Sequence, residues 1–223
     1  MDRLQRAVYR GLVGLNALYQ KLFLDLRVRG RDSIPPGPKI YVTNHITSTD
    51  PHWLLPVLPE PVHILVGPGY QSKLLAPVFD YLEQINVMPA HRKTAVDKAV
   101  RYLQKGEAIY TAPEGDLQPQ FQLGHFYPGV ARMYRRTRAP VIPIAFVAPP
   151  SAVRELPMTM HVDGRVYRSI VVLRGPFCIN IGGPFHPHVT DAGGPDEDRR
   201  IMEDIREQIR LLVEDVRTNN FWQ

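Results

Sequence analysis

The residues best suited to chemistry are a histidine and a carboxylate separated by four residues, His45 and Asp50. They lie between two short apolar runs, 39–42 and 53–55, which predict a strand end, a tight loop and a helix start. A four-residue spacer lets the loop fold back so that the carboxylate meets one imidazole nitrogen. The other nitrogen is then free to take a proton from a substrate hydroxyl, while Asp50 fixes the tautomer and stabilises the imidazolium.

A protein nucleophile to accompany this pair is missing. The chain has no Gly-x-Ser-x-Gly elbow. Its single cysteine, Cys178, stands between Phe177 and Ile179 in a predicted strand, which favours a small core residue. The nucleophile is therefore better sought on the substrate, as an alcohol or an amine, and the pair then indicates direct group transfer.

Two simpler interpretations of the pair are open. Asp50 followed by Pro51 is a good helix opening, with the aspartate as N-cap and the proline at the first helical position. The same spacing also recurs at His186 and Asp191, in a Pro/Gly-rich stretch with no helix start after it. We interpret that second copy as having no catalytic function.

Length and charge set the broad class of protein. With 223 residues, of which 44% are apolar, the chain can bury a full core and is most simply one domain. A net charge of +5 and a sequence pI near 9.4 favour an anionic partner. One cysteine excludes an intramolecular disulfide framework. No apolar run approaches the roughly 18 residues of a membrane span, and no secretory cleavage site is evident, so any action at a membrane is expected from its surface.

The first segment is predicted to be an amphipathic helix over residues 3–26. Apolar residues recur there at helical spacing, with arginines and a lysine beside them. Such a helix lies either on an anionic bilayer or on the core of its own domain, and the sequence leaves both open. We therefore divide the chain into residues 1–30, a possible membrane-surface anchor, and residues 31–223, a single domain.

Helical and strand patterns alternate through the first two thirds of the chain. This alternation predicts an α/β fold with a mixed, largely parallel sheet flanked by helices. The predicted strands are 62–66, 85–88, 108–112, 141–147 and 178–181, with a hairpin over 158–173 that turns at Asp163 and Gly164. The predicted helices after the first are 51–58, 73–81, about 94–105, 129–137 and 196–216.

Four blocks of the sequence together resemble the glycerolipid acyltransferases of the lysophosphatidate acyltransferase, or PlsC-like, type. The first is Asn44-His45-x4-Asp50-Pro51, and the third is the stretch 105–115 that ends Pro113-Glu114-Gly115. Residues 86–92 fit the second block through Arg92, and the proline-containing strand 141–144 fits the fourth. All four stand in the order of that family, which is more specific than any single block.

The resemblance implies an acyl transfer with His-Asp general-base chemistry. His45 would deprotonate the acceptor hydroxyl and Asp50 would orient His45. The donor would be the thioester of an acyl-CoA or an acyl-carrier protein, with no metal and no other cofactor. Asn44, Glu114 and Gly115 would contribute to substrate binding, and Arg92 would hold an anionic group.

The same resemblance implies the partners and the place of action. A lysolipid acceptor would be met at an anionic membrane surface, with the protein peripherally associated on the cytoplasmic side. Nucleic acid is not expected, because the chain lacks a recognised motif and its charges are dispersed rather than interleaved with an aromatic platform.

One departure from the family pattern concerns the acceptor. Where the third block is expected to end in Thr-Arg, this chain has Asp116-Leu117. A guanidinium contact to phosphate is charge-assisted and often bidentate, and neither residue can replace it. Arg92 or the basic stretch 132–138 could compensate. The acceptor is therefore open between lysophosphatidate and another lipid or glycolipid hydroxyl, or an amine.

Two other functions fit the same residues. A hydrolase or thioesterase would use His45 to activate water. A non-catalytic lipid-binding paralogue would keep the fold without the reaction.

Overall fold

A computed structural model of the chain describes residues 1–118, 122–162, 164–190 and 193–219. The helices are α1 (Arg3–Phe23), α2 (Asp50–Leu54), α3 (Ala76–Tyr81), α4 (Arg92–Gln104), α5 (Gly129–Thr137) and α6 (Pro195–Thr218). The strands are β1 (Leu24–Arg29), β2 (Ile40–Thr43), β3 (Val62–Val66), β4 (Ile85–Asn86), β5 (Ala108–Thr111), β6 (Val141–Val147), β7 (Arg154–Val162), β8 (Arg165–Val171) and β9 (Gly175–Ile181). The predicted turn residue Asp163 and the Asp191 of the second His-x4-Asp copy lie outside the described residues.

The core is a mixed sheet of seven strands in the order β1-β9-β6-β2-β5-β3-β4. The five strands from β6 to β4 run parallel, and β9 pairs antiparallel with β6. Strand β1 in turn pairs parallel with β9. The predicted fold class, an α/β protein with a largely parallel sheet flanked by helices, is confirmed.

The central parallel strands are covered on both of their faces. Every residue of β2, β5 and β6 is buried, as expected of strands that read as continuous apolar runs. Alternate residues of β2 point to opposite faces, so that Ile40 and Val42 pack in one cluster with α4, α5 and α6. Tyr41 faces the other cluster, with Trp53 and Leu54 of α2. The carboxyl ends of these parallel strands consequently meet at one edge of the sheet.

The N-terminal segment differs from its prediction at its end. The helix stops at Phe23 rather than at residue 26, and Leu24–Arg29 continues as β1, in register with Gly175–Asn180. The positions of the apolar residues in Leu24-Asp25-Leu26 fit both the helical and the strand periodicity. Pairing with β9 selects the strand. Part of the proposed anchor segment 1–30 therefore belongs to the central sheet.

Helix α1 packs against α2 near its C-terminal end. The Tyr19 ring stacks on Trp53 with centroids 5.4 Å apart, and the Gln20 amide donates to the Trp53 carbonyl at 2.8 Å. Of the helices that the structure describes, α1 included, none is both long and apolar enough to cross a membrane.

Most other element boundaries agree with the predictions to within a few residues. Helix α4 begins at Arg92, two residues before its predicted start, with His91 as its cap residue. The predicted hairpin is present as β7 and β8, and its first strand begins earlier, at Arg154. Helix α2 is shorter than the predicted 51–58.

The bend between β1 and β2 gives a test of the sheet assembly. Gly30 has a φ of +72° and, if it carried a Cβ, that atom would lie 1.9 Å from the carbonyl oxygen of Ile181. Gly37 has a φ of +86° with nothing within 4 Å of such a Cβ. Gly37→Ala should cost about 1 kcal/mol of unfolding free energy for the left-handed backbone alone. Gly30→Ala should cost more than about 2 kcal/mol, because backbone must also shift. Urea unfolding of both variants measures this, and equal losses would contradict it.

Candidate active site

His45 and Asp50 meet in the loop that follows β2 at the carboxyl edge of the sheet. The His45 Nδ1 atom lies 3.0 Å from Asp50 Oδ2. The histidine side chain is 23% exposed, whereas that of Asp50 is fully buried. The imidazole is therefore held from its Nδ1 side, and solvent reaches the ring but not the carboxylate.

The Asp50 carboxylate organises the whole loop. Besides His45, the backbone N–H groups of Ile46 and Thr47 donate to Oδ2 at 2.8 and 2.9 Å. The Thr47 hydroxyl donates to Oδ1 at 2.6 Å. Because four donors converge on it, the carboxylate acts as a hydrogen-bond acceptor toward the His45 Nδ1–H.

Asp50 is not the N-cap of the following helix. The cap residue is Thr49, whose side chain makes no capping bond, and Asp50 is already the first helical residue. Its carboxylate turns back to the loop instead of forward to the helix amides. The Thr47-x-x-Asp50 spacing is that of a capping box, a signal in the sequence that could have pointed to Thr47 as a partner of Asp50.

Asn44 ties the end of β2 to the neighbouring strand β6. Its Nδ2 donates to the carbonyl of Phe146 at 3.0 Å, and the Phe146 N–H donates to its Oδ1 at 2.7 Å. The residue is 2% exposed. Both ends of the amide are thus engaged with backbone, which gives Asn44 a positioning role. Its predicted contact with substrate stays a prediction.

Glu114 accepts a hydrogen bond from the backbone of His45. The His45 N–H donates to Glu114 Oε2 at 2.7 Å, and the Gly124 N–H donates to Oε1 at 2.8 Å. Glu114 is 4% exposed, and burial raises its pKa although both hydrogen bonds lower it in part. Neighbouring Gly115 is exposed, with a φ of +67°, and a Cβ there would lie 3.3 Å from the ring of Tyr127. Of the predicted substrate-binding residues Asn44, Glu114 and Gly115, only Gly115 is exposed.

The hairpin of β7 and β8 also contacts the loop, which the sequence did not indicate. The Ser48 N–H donates to the Ile170 carbonyl at 2.7 Å. Val172 donates its N–H to the Thr49 hydroxyl at 3.1 Å, and the Trp53 indole N–H donates to the Val172 carbonyl at 3.0 Å. These contacts join residues more than a hundred positions apart, so no local pattern could have predicted them.

The loop amides are occupied by these contacts. The N–H groups of His45, Ile46, Thr47 and Ser48 donate, in order, to Glu114, to Asp50 twice, and to Ile170. Donors for an oxyanion formed during acyl transfer would therefore have to be groups other than the backbone N–H groups of residues 45–48.

The arginines expected near the acceptor lie in different surroundings. Arg92 begins α4 as an exposed residue, and within the described residues no hydrogen bond or ion pair joins it to His45, Asp50 or Glu114. In the basic stretch, Arg135 pairs with Asp198 and Glu197 at 2.9 and 3.2 Å. Its neighbours pair likewise: Arg132 with Asp198 and Arg136 with Asp97. This stretch therefore holds α5 to α6 and to α4.

The remaining candidates are separate from this site. Cys178 is buried in β9, where burial raises its pKa to about 12. His186 is exposed near the ring of Tyr134. Among the described side chains, no group of three histidine, cysteine, aspartate or glutamate residues is arranged to hold a metal ion. The expectation that the reaction needs no metal stays a prediction.

The chain that carries this sheet and this loop matches the model of a known protein family. The Acyltransferase family model matches residues 25–147, which run from β1 to the end of β6, and the chain belongs to that family. It is similar in fold to the crystal structure of the 1-acyl-sn-glycerophosphate acyltransferase PlsC from Thermotoga maritima. The TM-score is 0.68 at 20% identity, over 96% of this chain and 83% of that chain. A comparison with curated proteins finds no match.

The buried carboxyl of Glu114 gives a pH-dependent test of the site. Because its folded pKa is raised, the folded chain keeps a proton over an interval in which the unfolded chain has lost it. The unfolding free energy contributed by Glu114 is therefore largest at low pH and falls as pH rises through the raised folded pKa. Glu114→Gln should lack this fall in urea unfolding measured from acid to neutral pH.

The matched control is Glu203→Gln, which changes a 61% exposed side chain on α6 and should keep the wild-type pH dependence. A Glu114→Gln variant with the same pH dependence as the wild type would contradict the assignment.

Proposed function

We propose that this chain transfers a fatty acyl group from an acyl thioester to a hydroxyl of a lysophospholipid or related lipid acceptor. The observation that carries the proposal is the orientation of His45. Asp50 occupies its Nδ1 side and leaves the partly exposed ring to present Nε2 to a substrate. Membership of the Acyltransferase family supports the reaction class.

In this mechanism His45 acts as the general base and then as the general acid. Nε2 takes the proton of the acceptor hydroxyl as its oxygen attacks the thioester carbonyl carbon. Asp50 stabilises the imidazolium that forms. When the tetrahedral intermediate collapses, the C–S bond breaks, the new ester keeps the acyl group, and the leaving thiolate takes the proton back from Nε2. No metal or further cofactor enters these steps.

The donor is an acyl-CoA or an acyl-carrier protein, both of which present the same thioester. For the acceptor, the Thermotoga maritima protein of similar fold is a 1-acyl-sn-glycerophosphate acyltransferase. That likeness supports a glycerolipid hydroxyl here and leaves the head group to be tested.

His45→Ala should lower acyl transfer by about 100- to 10,000-fold, the usual contribution of a general base. Asp50→Asn should also lower acyl transfer, because the NH₂ group of the asparagine amide would face N–H and O–H groups that now donate to the carboxylate. Mass spectrometry of the lipids formed from an acyl thioester and a panel of lysolipids measures both. His186→Ala is the matched control and should be unchanged.

The same assay separates the rival functions. Free fatty acid released equally with and without any lysolipid would mean hydrolysis instead of transfer. Unchanged function in both His45→Ala and Asp50→Asn would mean a binding role only. Thermal unfolding of each variant checks that the fold persists.

We further propose that α1 carries the protein onto an anionic membrane surface. Five apolar residues on one face of α1 remain 38–66% exposed, and we term them the apolar stripe: Leu4, Val8, Leu15, Leu18 and Leu22. By the same periodicity Arg3, Arg10 and Lys21 share a flank beside it. An exposed apolar stripe of this length marks an interaction surface, here one for lipid.

Apolar surface continues beyond both ends of the apolar stripe. Near its start, the Gln5 amide donates to the carbonyl of Tyr81 at the end of α3, whose own side chain is exposed. Near its end lies a groove of about 580 Å³ lined in part by Leu22, Phe23, Leu173, Arg154 and Arg174. Aliphatic side chains with arginines beside them suit acyl chains and anionic head groups.

Leu15→Glu and Leu22→Glu should each lower the affinity for anionic vesicles by about tenfold, because an apolar contact with lipid is replaced by a charge. Co-sedimentation with phosphatidylglycerol-containing vesicles measures the effect. Leu211→Glu, at a 47% exposed position on α6, is the matched control and should bind as the wild type does. Equal loss in all three variants would indicate a charge effect without a defined surface and would contradict the proposal.

A further inference from the structure

A pair of threonines lies next to the Asp50 carboxylate oxygen that His45 does not contact. Thr47 is fully buried within the loop, and the half-buried Thr49 stands directly before α2. The Thr47 hydroxyl donates to Asp50 Oδ1 at 2.6 Å, and the two threonine hydroxyl oxygens are 3.0 Å apart. Within the described part of the chain, no hydrogen bond joins the Thr49 hydroxyl to Asp50 directly. The Thr49 hydroxyl therefore reaches the carboxylate through Thr47.

The Thr49 hydroxyl is fixed by the segment that joins β8 to β9. It accepts the Val172 N–H at 3.1 Å and lies 3.3 Å from the Val172 carbonyl oxygen. That carbonyl also accepts from the Trp53 indole at 3.0 Å. The next residue, Leu173, accepts at its carbonyl from the Tyr19 hydroxyl at 2.9 Å. The backbone that holds Thr49 is thus itself held by side chains of α1 and α2.

The hydroxyl hydrogens of the two threonines follow from the number of donors. A hydroxyl has one hydrogen, and an ionised carboxylate can only accept, so the hydrogen of Thr47 goes to Asp50. Thr47 is consequently the acceptor in its bond with Thr49. The other acceptor within reach of the Thr49 hydrogen, the Val172 carbonyl, is farther away and already accepts from Trp53. Every bond then points one way, from the Val172 N–H through both hydroxyls to the carboxylate.

A directed series of this kind holds the carboxylate more firmly than separate bonds do. Each donor polarises the next hydroxyl, and the effect is strongest where water is excluded. Asp50, Thr47 and Val172 all have no exposed surface. The series therefore fixes the carboxylate in the position from which it accepts the Nδ1–H of His45.

We propose that Thr49 is a positioning residue for the reaction and acts on Asp50 through Thr47. Without the Thr49 hydroxyl, the Thr47 hydroxyl loses the donor that orients it. Asp50 then holds the imidazolium less firmly in the transition state. Thr49 acts on the protein and not on the substrate, so its effect falls on kcat and not on KM. This inference rests on the proposed acyl transfer, since the pair that is positioned is the general base of that reaction.

The test uses threonine-to-valine variants, which remove a hydroxyl and keep the branched shape. They are Thr47→Val, Thr49→Val and the double variant, with Thr49→Ser to return the hydroxyl and Thr49→Ala for use if the valine variant fails to fold. Steady-state formation of phosphatidate from an acyl-CoA and lysophosphatidate, with full-length protein in mixed micelles, gives kcat and KM. Thermal unfolding checks that each variant is folded.

The matched control is Thr137→Val on α5. Its half-buried hydroxyl also accepts a backbone N–H, that of Ala139 at 3.3 Å, and also has a hydrogen to donate, to the Met133 carbonyl at 2.9 Å. This variant should lose a similar amount of stability and keep the wild-type kcat.

Thr49→Val should lower kcat by about 2- to 10-fold, the range of one neutral hydrogen bond, with KM nearly unchanged. Thr47→Val should lower kcat by about 10- to 100-fold, because it removes a bond to a charged group. The double variant should match Thr47→Val within about twofold, because the Thr49 hydroxyl then has no path to Asp50. Thr49→Ser should recover most of the loss.

A second measurement does not need turnover. The ¹⁵N chemical shift of His45 Nδ1, observed by NMR through the carbon-bound ring protons, reports the hydrogen bond to Asp50. His45→Ala assigns the signal. Thr47→Val and Thr49→Val should move this shift, and Thr137→Val should leave it in place.

The outcomes separate this inference from the proposed function. Wild-type protein that forms no phosphatidate, with a His45 shift that moves in Thr49→Val and not in Thr137→Val, would overturn the transferase proposal and support the positioning role. Active protein in which Thr49→Val keeps both its kcat and the shift would overturn the positioning role alone.

Three further results would also overturn the positioning role. A loss in the double variant equal to the product of the two single losses would mean that Thr49 acts apart from Thr47. A raised KM with unchanged kcat in Thr49→Val would mean a contact with substrate. Equal losses of kcat in Thr49→Val and Thr137→Val would mean a general effect of removing a hydroxyl.

Discussion

The candidate site depends on one buried carboxylate. Asp50 is wholly inaccessible, and a buried anion costs several kcal/mol unless donors surround it. Here the donors come from His45, from two loop amides and from the Thr47 hydroxyl. The requirement to satisfy Asp50 therefore fixes the path of the loop. The imidazole is oriented as a consequence of the same constraint.

A second carboxylate repeats this arrangement one strand away. Glu114 follows β5, which pairs with β2, and it accepts the His45 N–H while its other oxygen accepts the Gly124 N–H. The backbone of His45 is thus held by Glu114 and its ring by Asp50. Parallel pairing explains why two blocks about seventy residues apart meet, since neighbouring parallel strands deliver their carboxyl-end loops to the same place.

Much of this could be predicted from local pattern. Continuous apolar runs predicted the central strands, and a four-residue spacer predicted the contact between His45 and Asp50. Strand β1 was missed because Leu24-Asp25-Leu26 fits the preceding helical period, and only pairing with β9 selects the strand. The positioning roles of Asn44 and Glu114 were missed for a related reason. Their partners are backbone groups of Phe146 and Gly124, and a backbone group leaves no mark in a sequence.

The placement of cations illustrates the same limit for binding. By residue type, Arg132 and Arg135 look as well suited to phosphate as Arg92 does. Asp198 of α6 forms ion pairs with the first two, whereas Arg92 is exposed at the start of α4. An arginine whose charge is paired with a carboxylate is less available to an anionic ligand, and that pairing is a property of tertiary packing. The arginines of a sequence therefore cannot be ranked as phosphate ligands until their partners in the fold are known.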